Sequence, residues 1–344
     1  LEHRRQRQMC IRDSNKVVLT NTLGFQRIQM QYILGLPTDH VESIDQFGTS
    51  EAISEIASTV EEIGYAGIFV TDHPAPSKSF LNAGGHHTLD PMVTLAAAAT
   101  ATKKIKLLTN LYILTYRNPF LTAKVVSSLD NLSAGRLILG IGAGYLEDEF
   151  LATGVDYENR GQLLNEYLEI LGQAWTGNPI SAKGQGYDAR EIISLPIPSQ
   201  KTGFSSPPIW VGGNSKNALE RVVRFGEGWI PMATPKGMEK FVKTTAITDM
   251  AALEKRISIL NEKWSKHGRK GKPFISIEPW DAGRFGSKNW EPQKYLERIQ
   301  EMSEMGITHI PVMLSPIGKE YEATRVEFLD SVDEYAEIVQ IKNS

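Results

Sequence analysis

From Met30 onward, short β-branched or apolar runs alternate with stretches whose apolar residues recur every three to four positions. The first kind reads as strands buried on both faces and the second as amphipathic helices, so the alternation predicts βα units and a parallel sheet. Strands are expected at 32–36, 67–71, 106–110, 137–141, 209–212, 228–232, 274–278 and 309–314. Helices are expected at 50–63, 90–102, 120–132, 160–175, 216–225, 238–267, 292–305 and 326–341. Over 50–63, for example, Ile53, Ile56, Ala57 and Val60 fall on one helical face, and Gly64 ends the run. Eight strands, each followed by a helix, close most economically as a single (β/α)8 TIM barrel; a doubly wound open sheet is the alternative.

Two segments break the pattern. Residues 176–207, between the fourth helix and the fifth strand, carry Gly177, Pro179, Gly184, Gly186, Pro196, Pro198, Gly203 and Pro207, and so cannot be helical. An inserted excursion over the barrel mouth and a solvated surface linker are both open readings. Residues 1–29 fit no element. The basic run from Arg4 to Arg12 resembles translated sequencing adaptor, a genuine basic arm being the alternative, and no apolar core marks a secretory signal. The expected division is a tail at 1–29 and a barrel at 30–344.

Composition narrows the partners. A net charge of −3 and a pI near 6.2 offer no basic field for nucleic acid, and no run of 18 apolar residues could span a bilayer. A small-molecule partner is expected. The single cysteine, Cys10, excludes an intramolecular disulfide and a cysteine zinc cage, which suits a reducing cytoplasm.

In a barrel the residues just after each strand face the active site. After the second run come Asp72 and His73, an imidazole beside a carboxylate that can exchange a proton near neutral pH, although such a pair is also common in structural roles. His86 and His87 follow in the same loop, but adjacent histidines diverge and no metal-ligand spacing occurs, so no metal is expected. After the third run, Thr109-Asn110-Leu111-Tyr112 is uncharged and suits either a wall against a planar ring or simple packing.

After the fourth run, Gly142-Ala143-Gly144 has the spacing G-x-G-x-G with Gly140, which fails the dinucleotide fingerprint. Glu147, Asp148 and Glu149 then open a helix, where they complement its dipole and would repel a pyrophosphate. Gly142 and Gly144 are expected to admit a flat ring or its polyol chain, with the anion elsewhere. The anion's expected seat is Gly212-Gly213-Asn214-Ser215-Lys216, a bare-backbone turn into a helix N-terminus, for which an ordinary tight βα turn is the alternative.

Three blocks together carry a resemblance: Val70-Thr71-Asp72-His73; Asn118-Pro119 with 129–144, including Ser133-Ala134-Gly135-Arg136-Leu137-Ile138-Leu139-Gly140; and Pro208-Ile209-Trp210-Val211-Gly212-Gly213-Asn214-Ser215. They resemble the luciferase-like oxidoreductases over about residues 30–340. The resemblance implies a (β/α)8 barrel with an excursion before the fifth strand, a homodimer, and either FMN in monooxygenases or the deazaflavin coenzyme F420 in hydride-transfer enzymes. Asp-His after the second strand is similar to the deazaflavin branch, which would make His73 the base or the group that polarises the substrate, and put Asp72 against the cofactor. The resemblance further implies a non-proline cis peptide at Thr109–Asn110, and cofactor phosphate on Gly212, Gly213, Ser215 and Lys216. Arg160 would lie near the phosphate or tail, or else be a surface arginine.

Two departures follow. Sugar-phosphate dehydrogenases of that branch carry a glutamate where this chain has Tyr145, which argues against glucose 6-phosphate; Asp148 stands where an asparagine would contact the deazaflavin. The expected activity is hydride transfer between F420 and a small organic substrate. An FMN-dependent monooxygenase is the alternative within the family, and a non-catalytic flavin-binding protein is the alternative outside enzymes.

Overall fold

The computed structural model describes residues 30–199, 207–234, 244–287, 290–314 and 323–341; the tail assigned to 1–29 lies outside them. Eight parallel strands follow one another round a barrel: Gln31–Gly35, Gly67–Val70, Lys106–Thr109, Leu137–Gly142, Ile209–Gly212, Gly228–Ile230, Phe274–Ile275 and His309–Val312. The eighth pairs with the first, Gln31 opposite His309. A bridge between Ser276 and His309 closes the ring, with the Thr308 N–H on the Ile275 carbonyl at 3.0 Å. Every predicted strand is present, mostly trimmed at its carboxyl end where the chain turns into the mouth. The predicted helix 238–267 is shorter. It spans Met250–Lys266 behind an Asp249 cap, and 238–243 lie outside the described residues.

Apolar faces of the helices pack on the outside of the barrel, while Ile33, Phe69, Leu108, Ile138, Trp210 and Ile230 fill its interior. At the amino end, the Trp210 ring sits 4.7 Å from His309 edge-on and 5.8 Å from Phe274. Burial pushes the His309 imidazole down to about 4.

The excursion has its own structure, a two-stranded antiparallel hairpin, Ile180–Gly184 with Tyr187–Ile192. Its described part does not cross the mouth. Tyr187 packs on Phe120 and Tyr167, the Asn118 amide donates to Gly186 O, and Asn131 donates to Ile197 O. The segment therefore lies along the outer faces of helices Pro119–Leu132 and Arg160–Ala174, whose aromatic and amide groups give the hairpin partners that a mouth of short loops would not.

The block containing Arg136 is structural. Its buried guanidinium donates to the carbonyls of Ala99, Thr102, Ile105 and Ser133 and to the Thr102 hydroxyl, at 2.8–3.2 Å. These acceptors include the last carbonyls of helix Pro91–Ala101, which have no partner within that helix. Arg136→Met removes the whole donor fork at nearly constant volume and leaves several buried carbonyls unsatisfied. We expect a loss of about 3 kcal/mol or more in urea unfolding, with an unchanged m-value.

His309 generates a pH prediction. Its folded value lies below the ordinary 6.5, so the unfolded chain takes up the proton first as pH falls. The site is neutral to stability above about pH 6.5 and increasingly destabilising down to about pH 4. Relative to His309→Phe, the wild type should lose on the order of 2 kcal/mol between pH 7 and pH 5, read from urea midpoints at the two pH values. Parallel acid limbs for the two proteins would contradict this.

Candidate functional site

The second strand ends in Asp72 and His73. Asp72 is 3% exposed, and both its oxygens are engaged. One accepts from Ile113 N–H at 2.9 Å and from Arg117 Nη1 at 2.6 Å, the other from Arg117 Nη2 at 2.9 Å. Arg117 lies over the Tyr112 ring at 4.3 Å and reaches Asp90 at 3.5 Å. Burial works against its charge, yet the paired Asp72 holds the guanidinium above its ordinary value. The carboxylate assigned to a cofactor is thus already filled by the protein's own 113–117 segment.

His73 is ringed by Phe80 and His86, each 5.0 Å away between centroids, and by Tyr145 at 6.2 Å. Its Nδ1 stands 3.4 Å from Glu149 Oε2. Glu149 is 1% exposed and also accepts from the Tyr116 hydroxyl at 2.9 Å and from Ala75 N–H at 3.3 Å. The three carboxylates read together as complements to a helix dipole therefore divide. Glu147 and Asp148 are exposed at the start of helix Glu147–Thr153, whereas Glu149, one residue on, is turned into the barrel and bonded to protein. Burial, and then the Glu149 charge, raise Tyr116 above its ordinary value and push Tyr145 up to about 12, so both remain phenols at neutral pH.

A non-proline cis peptide is present, but it joins Asn110 and Leu111, one bond later than the resemblance implies. Thr109 still belongs to the barrel ladder: its hydroxyl donates to Gly140 O at 2.7 Å, and Asn110 N–H donates to Val70 O at 2.7 Å. The chain is therefore free to leave the sheet only at Leu111. The Leu111 side chain then settles over the two glycines. A Cβ on Gly142 would sit 3.1 Å from Leu111 Cδ1, and one on Gly212 only 2.1 Å. Those glycines make room for a leucine. Gly144, at φ +79°, turns against Phe150 and Ile113, and the Ala143 carbonyl accepts from Thr115 at 3.2 Å.

At the fifth strand, Gly213 N–H is spent on Ile230 O at 3.2 Å, and its carbonyl accepts from Trp229 Nε1 at 2.8 Å. Asn214, fully buried, clamps the turn. Its amide nitrogen donates to Met232 O and Thr245 O, its oxygen accepts Met232 N–H, and its own N–H donates to Thr244 Oγ1. Ser215 caps helix Lys216–Phe225 by accepting Ala218 N–H. The N–H groups of Ser215, Lys216 and Asn217 have no partner among the described residues. Unpaired backbone donors among the described residues thus begin two residues beyond the glycine pair, with exposed Lys216 beside them. Arg160 donates to Tyr157 O at 2.7 Å and stacks on that ring at 3.8 Å, which leaves its outer face as its free surface.

Sequence reasoning passed over Arg117 and Tyr116 and did not separate Glu149 from its neighbours, because their partners are far apart in sequence. Asn214, expected as part of the anion seat, instead clamps the turn.

The luciferase-like monooxygenase family model matches residues 30–273, well over half the chain. The chain belongs to that family. Among curated relatives of this luciferase-like chain, it is 27% identical to the F420-dependent glucose-6-phosphate dehydrogenase of Amycolatopsis mediterranei, over 60% of each chain. It is 29% identical to the F420-dependent hydroxymycolic acid dehydrogenase of Mycobacterium tuberculosis, over 62% of this chain and 57% of that one. The chain thus spans about three-fifths of the length of the curated relatives it matches. Among solved structures, the monooxygenase RslO1 of Streptomyces bottropensis superposes with a TM-score of 0.72 at 18% identity, covering 90% of this chain and 99% of that one. An F420-dependent secondary alcohol dehydrogenase superposes with a TM-score of 0.66 at 17% identity, covering 92% and 100%. These last two establish the shared luciferase-like barrel.

Two glycines of the mouth can be told apart by what a methyl group would meet. At Gly140 it would sit 2.0 Å from the Thr109 carbonyl, which is backbone in the ladder, whereas at Gly212 it meets the far end of a leucine. Gly140→Ala should therefore lower the melting temperature by well over about 5 °C or prevent folding, while Gly212→Ala shifts it by less than about 3 °C and moves Leu111. Equal losses in differential scanning calorimetry would contradict this reading.

Proposed function

We propose that this luciferase-like protein transfers a hydride between the deazaflavin coenzyme F420 and a small organic substrate, with His73 handling the accompanying proton. The observation that carries the reading is the His73 imidazole at the end of the second strand, walled by Phe80, Tyr145 and His86 and backed by buried Glu149. Such a ring can give or take a proton at a substrate placed in the mouth, in surroundings that keep bulk water off one side. The names of the relatives, F420-dependent dehydrogenases among them, support the choice of cofactor.

The residues present fit a flat ring with a phosphorylated tail. Leu111, lying over Gly142 and Gly212, offers an apolar platform. The N–H groups of Ser215, Lys216 and Asn217, at the positive end of a ten-residue helix, would hold the phosphate, with Lys216 adding charge from the rim. Arg160, stacked on Tyr157, would meet only the tail, whereas exposed Asp148 would stay clear of it. When bound, the cofactor supplies the hydride chemistry; the chain positions it and shields it. Tyr145, held as a phenol, offers an O–H and an aromatic edge where a sugar-phosphate dehydrogenase would need a carboxylic acid, which argues against glucose 6-phosphate.

An FMN-dependent monooxygenase is a second reading, favoured by the likeness to RslO1. Titration with FMN and with F420, followed by tryptophan fluorescence, separates the two: we expect quenching at micromolar F420 and little by FMN. His73→Asn should then leave F420 affinity within a few-fold and lower turnover by roughly 10²–10⁴. Near-normal turnover in that variant would remove His73 from the chemistry.

A further inference from the structure

We propose that Glu149 is a positioning residue that fixes the tautomer of His73, with Tyr116 and the Ala75 N–H fixing Glu149. The inference deepens the proton role given to His73 and rests on that reading for its consequence, although the contact itself does not.

Glu149 Oε2 lies 2.9 Å from the Tyr116 hydroxyl and 3.4 Å from His73 Nδ1, and Oε1 lies 3.3 Å from Ala75 N–H. As a carboxylate, Glu149 presents only lone pairs, and the Tyr116 hydroxyl and Ala75 N–H meet two of them as donors. Toward that carboxylate His73 Nδ1 can bond only as N–H. Nε2 is left without its proton, as an acceptor toward the mouth. The 3.4 Å separation is at the long end of hydrogen bonding, and active-site bonds commonly tighten when a site is loaded.

The other ring facing His73 makes no hydrogen bond to it among the described residues: His86 meets it edge-on at 5.0 Å between centroids and donates from Nδ1 to the His87 carbonyl at 2.8 Å. Tyr145 meets His73 edge-on at 6.2 Å between centroids, and the charges of Asp39 and His40 act on His86. Glu149 is also held along its chain: Phe150, next to it, is buried against Tyr116 at 4.8 Å and Tyr157 at 5.2 Å, so helix Glu147–Thr153 cannot roll the carboxylate away without unpacking a cluster of rings. The layout matches the logic by which a buried acid orients a catalytic imidazole elsewhere, where the wrong tautomer costs far more than lost binding.

Glu149→Gln supplies the sharpest test. Ala75 N–H demands an oxygen at the Oε1 position, which turns the new amide NH2 toward Tyr116 and His73 and calls for an unprotonated Nδ1. Long-range 1H–15N correlation spectra of the labelled full chain without cofactor read the tautomer directly. The sequence has seven histidines, so His73 is assigned as the signal lost in His73→Asn. We expect the neutral wild-type ring to carry its proton on Nδ1, and Glu149→Gln to move it to Nε2. Turnover should fall at least about tenfold with cofactor Kd within about threefold, and Glu149→Asp should restore part of both the tautomer and kcat. A wild-type proton on Nε2, or an unchanged tautomer in a Glu149→Gln protein that melts normally, overturns the proposal. If Glu149→Gln does not fold, Tyr116→Phe takes its place: it keeps the carboxylate but frees it, and an Nδ1 signal no broader or weaker than in the wild type overturns the role given to Tyr116. Unchanged turnover in His73→Asn, together with the expected tautomers, would overturn the catalytic reading of His73 and leave the contact standing.

Discussion

The mouth of this barrel depends on one buried carboxylate. Asp72, at the end of the second strand, would be costly to keep ionised at its depth without partners. It is satisfied by the Ile113 N–H and both terminal nitrogens of Arg117. Those bonds draw the segment after the third strand across the end of the second, and the rest follows from that displacement. Tyr112 and Ile113 are brought beside Ile141 and Gly142 in a short parallel pairing, Leu111 is laid over the floor, and Tyr116 is carried to Glu149. His73 is the residue after Asp72 and so inherits a fixed backbone. Removing either member of such a buried pair costs about 3–5 kcal/mol, because the other is left charged and unpaired.

The glycines then read as consequences of this crossing. Gly140 touches the Thr109 carbonyl so closely that only a hydrogen fits, and Gly212 leaves the space that Leu111 fills. Both positions look, in sequence, like bare backbone offered to a ligand. In the folded chain the backbone is bare because another part of the same chain is against it. What a ligand would meet at the floor is the leucine, and the free N–H groups are displaced to Ser215, Lys216 and Asn217 because Gly213 and Asn214 spend theirs on Ile230 and Thr244.

This explains which parts of the molecule were legible in sequence. Strand and helix positions were, because burial on both faces or on one stripe writes a period into the chain, and the Gly64 and Ser215 ends behave as their residue types dictate. The site was legible only to the level of strand ends. His73 could be singled out from its type and place, but its partner Glu149 is 76 positions away in a run of three acids, and only the inward turn at Gly144 and Phe150 distinguishes it from exposed Glu147 and Asp148. Arg117 lies 45 positions from Asp72, again beyond any local pattern. The hairpin at 180–192 was obscured by the glycines and prolines around it, which signalled irregularity while the strands between them were short and amphipathic.

The distribution of charge around the mouth gives the proposed ligand only one orientation. Glu147, Asp148 and Glu149 all lie on the side reached from the fourth strand, together with His73, and Asp72 is neutralised there by Arg117. The positive end of helix Lys216–Phe225, with its partnerless N–H groups and Lys216, lies beyond the fifth strand. An anionic tail placed toward 147–149 would meet two exposed carboxylates near the start of a short helix, whose own dipole they already offset. Placed toward 215–217 it meets donors that nothing else described satisfies. On the reading proposed above, the same arrangement keeps a phosphate away from Glu149, so the one carboxylate that borders His73 need serve only the imidazole.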